Sequence, residues 1–233
     1  MAYIQDRRVT TGELINGTFI NLAAIKRPLA MYFGFFFVAG LIGSVSSFLS
    51  ALAAIPLFVA YFAGQYFLYR AILGSDINVA GLGSDDALKV LGFFLMAVLL
   101  SIPLYFSMFF LIVPAILLGA KWVMAPSFLA AEDMNFIEAI GASWRASGGN
   151  LVSIALAYTV MWLIWIAFIT ALSAVGGGFE TALNSIAGIS RSSLGVAASS
   201  IIMHSLPVLL MGLSATAYKS LSDQSESLVA IFE

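Results

Sequence analysis

The sequence predicts an all-α, polytopic integral membrane protein with about six transmembrane helices and two short interfacial amphipathic helices on the cytoplasmic face. Three observations predict it. Of 233 residues, 61% are hydrophobic and 9% charged, with a mean hydropathy of +1.03, whereas an ordinary soluble domain carries roughly a quarter charged residues. Apolar runs with few or no charges recur at the length a bilayer demands, about 20 residues for a hydrocarbon core of about 30 Å. The cationic residues gather in alternate loops, the asymmetry that orients membrane proteins.

The elements follow in chain order. In residues 1–27, Thr10 and Glu13 have the spacing of a capping box, and Ile15, Phe19 and Leu22 recur on one helical face. This segment is expected to lie in the headgroup plane on the cytoplasmic side. It lacks the central apolar block of a cleavable signal peptide. Lys26 and Arg27 mark the water boundary, and Pro28 opens the membrane domain, 28–217. Pro28 to Tyr69 carries no charge and is twice the necessary length, broken by Gly43, Ser44, Ser46, Ser47 and Ser50. It reads as a hairpin of spans at 28–47 and 52–72, with Pro56 in the early turns of the second.

Gly74 to Asp86 is turn-rich, and Ser84, Asp85 and Asp86 stand where they can cap the next helix. Between Ala87 and Ala131 only Lys89 and Lys121 interrupt the run, giving spans at 86–106 and 109–131 with Pro103, Ser107 and Pro114 bracketing their break. Asn135 and Glu138 repeat the capping spacing. Ile137, Ile140 and Trp144 then share one face, Glu138 and Arg145 another, and Gly148, Gly149 and Asn150 stop the helix, which is assigned to 135–147. The last spans fall at 150–174 and 195–217, followed by a tail, 218–233. The two capped segments resemble each other, Thr18-Phe19 in one and Ser143-Trp144 in the other, as a diverged duplication would leave them.

Six passes with the N-terminus inside put Arg7, Arg8, Lys26, Arg27, Arg70, Lys89, Arg145 and Lys219 in the cytoplasm and only Arg191 outside. Both termini are then cytoplasmic.

Composition also excludes chemistry. Ten Lys and Arg against twelve Asp and Glu give a net charge of −2, without the basic footprint of a nucleic-acid binder. The absence of cysteine removes disulfides, thiol catalysis and thiolate metal sites. A single histidine, His204, removes histidine clusters. Phosphate loops, dinucleotide fingerprints and zinc signatures are missing. Gly81-Leu-Gly-Ser-Asp85 is off by one residue from the glycine-aspartate pattern of intramembrane aspartyl proteases, and no second intramembrane aspartate exists to share its proton. No Gly-x-Ser-x-Gly elbow presents a serine. The expectation is no enzyme, no cofactor and no metal.

The remaining candidates are binding residues: Lys121, Trp122, Glu132, Trp144, Arg145 and His204. Lys121 is the one charge deep in a span, where an unpartnered charge costs about 2.5 to 3.5 kcal/mol on insertion scales. Pro126 removes the bond to the Trp122 carbonyl, freeing backbone oxygens that an ammonium can bind. His204 lies on a face with Ser200 and Val208, and expects a serine or carbonyl partner.

The stretch Ile112-Val-Pro-Ala-Ile-Leu-Leu-Gly-Ala-Lys-Trp122, followed by Ala125-Pro-Ser, Glu132, Glu138-Ala-Ile, Ser143-Trp-Arg and Gly148-Gly-Asn150, resembles the membrane-domain family first named from glycerophosphoryl diester phosphodiesterases. The N-terminal Gly12-Glu-Leu-Ile and Thr18-Phe19 are similar to that family's lead-in. The resemblance implies a stand-alone bacterial six-helix protein. It implies no hydrolase, because the family's activity resides in a separate soluble domain.

The expected function is therefore that of a non-catalytic protein of the bacterial inner membrane, organising or supporting an envelope process through lipid or protein contacts. The alternatives are a small transporter or channel with a polar pocket around Lys121 and His204, and an accessory subunit of a larger membrane complex. The expected partners are membrane lipids and a membrane protein or second copy, not nucleic acid. Reporters fused after Lys89 and after Glu233 are expected to behave as cytoplasmic and one near Gly177 as external, as read by paired phosphatase and fluorescent-protein fusions; the opposite pattern would invert the orientation.

Overall fold

A computed structural model describes residues 8–45, 47–74, 84–110, 112–132, 134–187 and 191–232, and all regular structure among them is helical. The helices are α1 (Thr11–Ala24), α2 (Lys26–Val45), α3 (Ser47–Leu73), α4 (Ser84–Phe110), α5 (Ile112–Trp122), α6 (Ala125–Ala131), α7 (Phe136–Ala146), α8 (Leu151–Ala187) and α9 (Arg191–Phe232). Six stretches are long and apolar enough to cross a membrane: Lys26–Ser44, Ala51–Leu73, Asp86–Leu104, Ile112–Ala131, Leu151–Ala171 and Ser199–Ser222. The chain is an all-α, multi-pass membrane protein. Residues 75–83, which hold Gly81, Leu82 and Gly83 of the glycine-aspartate motif and most of the turn after Gly74, lie outside the described residues.

Several boundaries differ from those read in the sequence. The first span begins at Lys26, a single residue after α1. Ser84 is the first residue of α4 rather than a cap before it. The fourth span is two helices, α5 and α6, separated by a turn at Val123 and Met124, where Pro126 occupies the first turn of α6 and cannot donate back to Trp122. Helix α8 continues to Ala187, and the segment from 218, expected as a separate tail, continues α9 through Phe232.

Both short helices carry the caps their spacing implies. Thr10 accepts from Glu13 N at 3.2 Å while Glu13 accepts from Thr10 N at 2.8 Å. Asn135 accepts from Ile137 N and Glu138 N at 3.0 Å while Glu138 accepts from Asn135 N at 2.9 Å. Each box satisfies N-terminal amides that have no intrahelical partner.

In each short helix the buried stripe is set by tertiary packing. In α1 the buried stripe is Leu14, Thr18 and Leu22, packed on α8 and α9, while Phe19 is 43% exposed and Ile20 60%. In α7 it is Ala139, Ala142 and Ser143, packed on α5 and α6, while Ile137 is 64% exposed and Trp144 46%. Against lipid, hydrophobicity no longer separates inside from outside, and small side chains that permit close approach take the interface. Thr18 can be buried because its hydroxyl donates to the Leu14 carbonyl at 2.7 Å.

The α1–α9 contact is reciprocal. Gly17 lies against the Thr216 side chain, and a Cβ on Gly212 would stand 2.9 Å from both Leu22 Cγ and Thr18 Cγ2. Asn21 Nδ2 donates to Thr216 Oγ1 at 2.8 Å, closing the same seam. Between α3 and α4 the packing is aromatic instead: Phe62 meets Phe94 and Tyr66 meets Phe93 edge to face, with centroids 5.5 and 5.7 Å apart.

One end of the bundle collects the polar groups. There Arg70 pairs with Asp86 at 3.1 Å, Tyr66 donates to the same carboxylate at 2.7 Å, and Val9 N donates to Asn150 Oδ1 at 2.8 Å. The close approach of α1 and α9 is testable: Gly212→Val is expected to lower stability by about 1 to 3 kcal/mol through overpacking. Gly12→Ala, which meets nothing within 4 Å, should be neutral or stabilising. Thermal unfolding in detergent reads both.

Candidate functional site

Three lysines share one kind of partner. Lys121 Nζ donates to the Trp144 carbonyl at 3.3 Å, Lys89 Nζ to the Glu132 carbonyl at 2.6 Å, and Lys219 Nζ to the Ile72 carbonyl at 2.6 Å. These oxygens lie at the C-terminal ends of α7, α6 and α3. The last four carbonyls of a helix have no intrahelical donor, and the helix dipole is negative there, so an ammonium is favoured twice over. Lys219 also donates to Asn21 Oδ1 at 3.2 Å, tying α1 to the same corner.

Lys121 sits at the break in the fourth span. Its carbonyl, in the last turn of α5, accepts from Ser143 Oγ at 2.7 Å, and its ammonium lies 5.1 Å from the centre of the Trp144 ring. The Trp122 and Trp144 rings are 6.2 Å apart. Helix α7 thus folds back along α6 and closes the break from outside. The Lys121 carbonyl, at the same break, is served by the Ser143 hydroxyl, while the Lys121 ammonium finds its carbonyl on a different helix. Arg145, the next residue, is exposed, with a guanidinium nitrogen 3.4 Å from where a Cβ on Gly141 would stand.

The other candidates lie elsewhere. Glu132 ends α6 and accepts from Tyr218 Oη at 3.1 Å, bracing α6 against α9. Ser127 and Ser214 meet at 2.7 Å between the same two helices. His204 stacks on Phe36 at 3.9 Å, with Tyr61 and Tyr32 edge-on at 5.2 and 5.8 Å. Its Nδ1 meets the Ser200 carbonyl; a carbonyl only accepts, so the proton is on Nδ1. Ser205 instead accepts from Trp165 Nε1 at 3.0 Å.

The structure therefore brings Lys121, Trp122 and Trp144 together, leaves the Arg145 guanidinium beside Gly141, and puts Glu132 and His204 in two separate sets of partners. Lys89, Lys219, Tyr218 and Ser143 were not among the candidates. Their roles depend on carbonyls and carboxylates far away in the chain, and sequence spacing carries no such signal. An open groove of about 430 Å³ separates α4 from the α6–α7 hairpin, walled by Leu88, Leu91, Leu95, Leu129 and Phe136, with Lys89 and Asn135 in its lining. Among the described residues no group of three or more His, Cys, Asp or Glu is placed to hold a metal ion.

In comparisons with family models, curated proteins and solved structures, nothing matches the chain.

Two substitutions separate satisfied from unsatisfied polar groups. Ser143→Ala strands the Lys121 carbonyl and should cost about 1 to 3 kcal/mol. The Tyr32 hydroxyl is buried without a hydrogen bond, so Tyr32→Phe should leave stability unchanged or raise it by about 1 kcal/mol. Unfolding midpoints of the purified variants check both.

Proposed function

We propose that this is a non-catalytic protein of the bacterial cytoplasmic membrane that organises or supports an envelope process through lipid or protein contacts, with the polar end of the bundle and both termini in the cytoplasm. The observation that carries the reading is the use of the lysines. Lys89, Lys121 and Lys219 each serve a helix end, so the ionisable groups that a transport or catalytic site would gather are spent on architecture. The short helices support the same reading, since Phe19, Ile20, Ile137 and Trp144 offer their apolar surface to the surroundings, as interfacial helices do. A transporter built on Lys121 and His204 would need the two in one pocket, and their partners are wholly different.

The test is complementation. Deleting the gene is expected to sensitise cells to envelope-active detergents, and His204→Phe should restore resistance. Ala139→Leu with Ala142→Leu, which pushes α7 off α5 and α6, should not restore it. Solute movement by the purified chain in liposomes, lost on Lys121→Met, would instead establish the transporter.

A further inference from the structure

We propose that the groove between α4 and the α6–α7 hairpin holds one acyl chain of a membrane phospholipid, with the lipid phosphate at the end marked by Lys89 and Asn135. The inference rests on the reading that this end of the bundle lies at the headgroup level of the cytoplasmic leaflet, and it gives the lipid contacts of that reading a place.

Shape is the first argument. Gly92 and the buried Leu129 form the floor of the groove, and the missing side chain makes the room: a Cβ on Gly92 would stand 3.4 Å from Leu129 Cδ2. One rim is the exposed Leu88, Leu91 and Leu95, which recur on a single face of α4, and the other is Phe136. From Leu88 to Leu95 the helix rises about 10 Å, of the roughly 15 Å that the acyl chains of one leaflet fill. That length suits the upper part of one hydrocarbon chain. A partner's spanning helix would need a groove of about 30 Å.

The polar end supplies the charge complementarity. Lys89 lines it, its ammonium held at this level by the Glu132 carbonyl at 2.6 Å. Asn135 lines it too. Its Oδ1 is taken by Ile137 N and Glu138 N, so its amide NH2 points away from the helix, with no acceptor among the described residues. This is the N-terminal end of α7, where the helix dipole is positive and favours an anion. The nearby carboxylates are occupied elsewhere, Glu138 by the Asn135 backbone amide and Glu132 by Tyr218 on α9. An ammonium and an amide at the mouth of an aliphatic groove match a phosphate followed by its tail, whereas a soluble anion has no use for the leucines.

The test adds equal amounts of phosphatidylglycerol and of diacylglycerol with the same acyl chains to the full chain in detergent, and reads what stays bound by native mass spectrometry. Wild type should retain phosphatidylglycerol preferentially. Asn135→Asp keeps the cap, since Asp caps a helix as well as Asn does, but sets a carboxylate oxygen where the NH2 stood. It should lower the preference about fivefold, the effect of roughly one charge near a membrane surface, with the unfolding midpoint unchanged. Gly92→Leu fills the floor and should reduce retention of both lipids, and Leu91→Trp on the exposed rim repeats that test without touching packed residues. Ile102→Phe, exposed on the same helix but outside the groove, should change nothing. Equal retention of the two lipids by wild type would overturn the site, as would full retention by Gly92→Leu and Leu91→Trp. Displacement of phosphatidylglycerol by excess inorganic phosphate would overturn it by assigning the polar end to a soluble anion. A dimer lost in the groove variants while lipid retention persists would overturn it by assigning the groove to a second copy. None of these outcomes depends on the complementation experiment, so the site can fail while the broader reading stands.

Discussion

The carbonyls at the end of a helix have no partner of their own, and in an apolar surrounding each one left bare costs several kcal/mol. Most of the architecture follows from how that requirement is met. Lys219 reaches from α9 to the end of α3, Lys89 from α4 to the end of α6, and Lys121 from α5 to the end of α7. Each contact joins two helices distant in sequence, with separations of 147, 43 and 23 residues respectively. For the part-buried Lys89 and Lys219 one bond settles two desolvation problems, whereas the Lys121 bond is exposed and its carbonyl also accepts from Ser147 Oγ at 3.0 Å. The same logic accounts for Ser143, whose hydroxyl serves the Lys121 carbonyl where the fourth span is interrupted.

Helices α1 and α7 are built to one plan. Each begins with a capping box, at Thr10 with Glu13 and at Asn135 with Glu138. Each then has a fully buried hydroxyl, Thr18 or Ser143, followed at once by a half-exposed aromatic, Phe19 or Trp144. The hydroxyl is tolerated inside because it donates to a carbonyl, Leu14 in one case and Lys121 in the other. Placing the small polar residue inward and the large apolar one outward is the reverse of a soluble amphipathic helix, and it is what a lipid solvent favours. In α7 the plan leaves a narrow face of Ala139, Ala142 and Ser143 against the bundle and a broad one exposed, whereas α1 also buries Leu14 and Leu22.

The spans were legible in the sequence because the bilayer sets a length that charge-free runs either reach or do not. The caps of α1 and α7 were legible because a box is defined by local spacing. The inward faces were not, since the buried Ala139, Ala142 and Ser143 carry no hydrophobic signal, and the apolar pair that marks the helix, Ile137 and Trp144, is the exposed one. Among the site residues, the meeting of Lys121 with Trp144 could be suspected only from the cost of a charge inside a span, and its partner could not be named because it lies on another helix. His204 showed its need for a carbonyl, and Ser200 supplies it one turn away. The aromatic enclosure of Phe36, Tyr32 and Tyr61 is a tertiary fact with no local signature.

The account stands on α7 lying with Ala139, Ala142 and Ser143 against α5 and α6 and with Ile137 and Trp144 toward lipid. The native chain has no cysteine, so single cysteines from Ile137 to Ser147 can be spin-labelled in lipid nanodiscs without background. Collision rates with oxygen, which concentrates in the bilayer, should peak at Ile137 and Trp144 and fall to a minimum for both oxygen and a water-soluble nickel complex at Ala139, Ala142 and Ser143. High nickel accessibility at Ile137 and Trp144 would mean that this face meets water, and the account would be wrong.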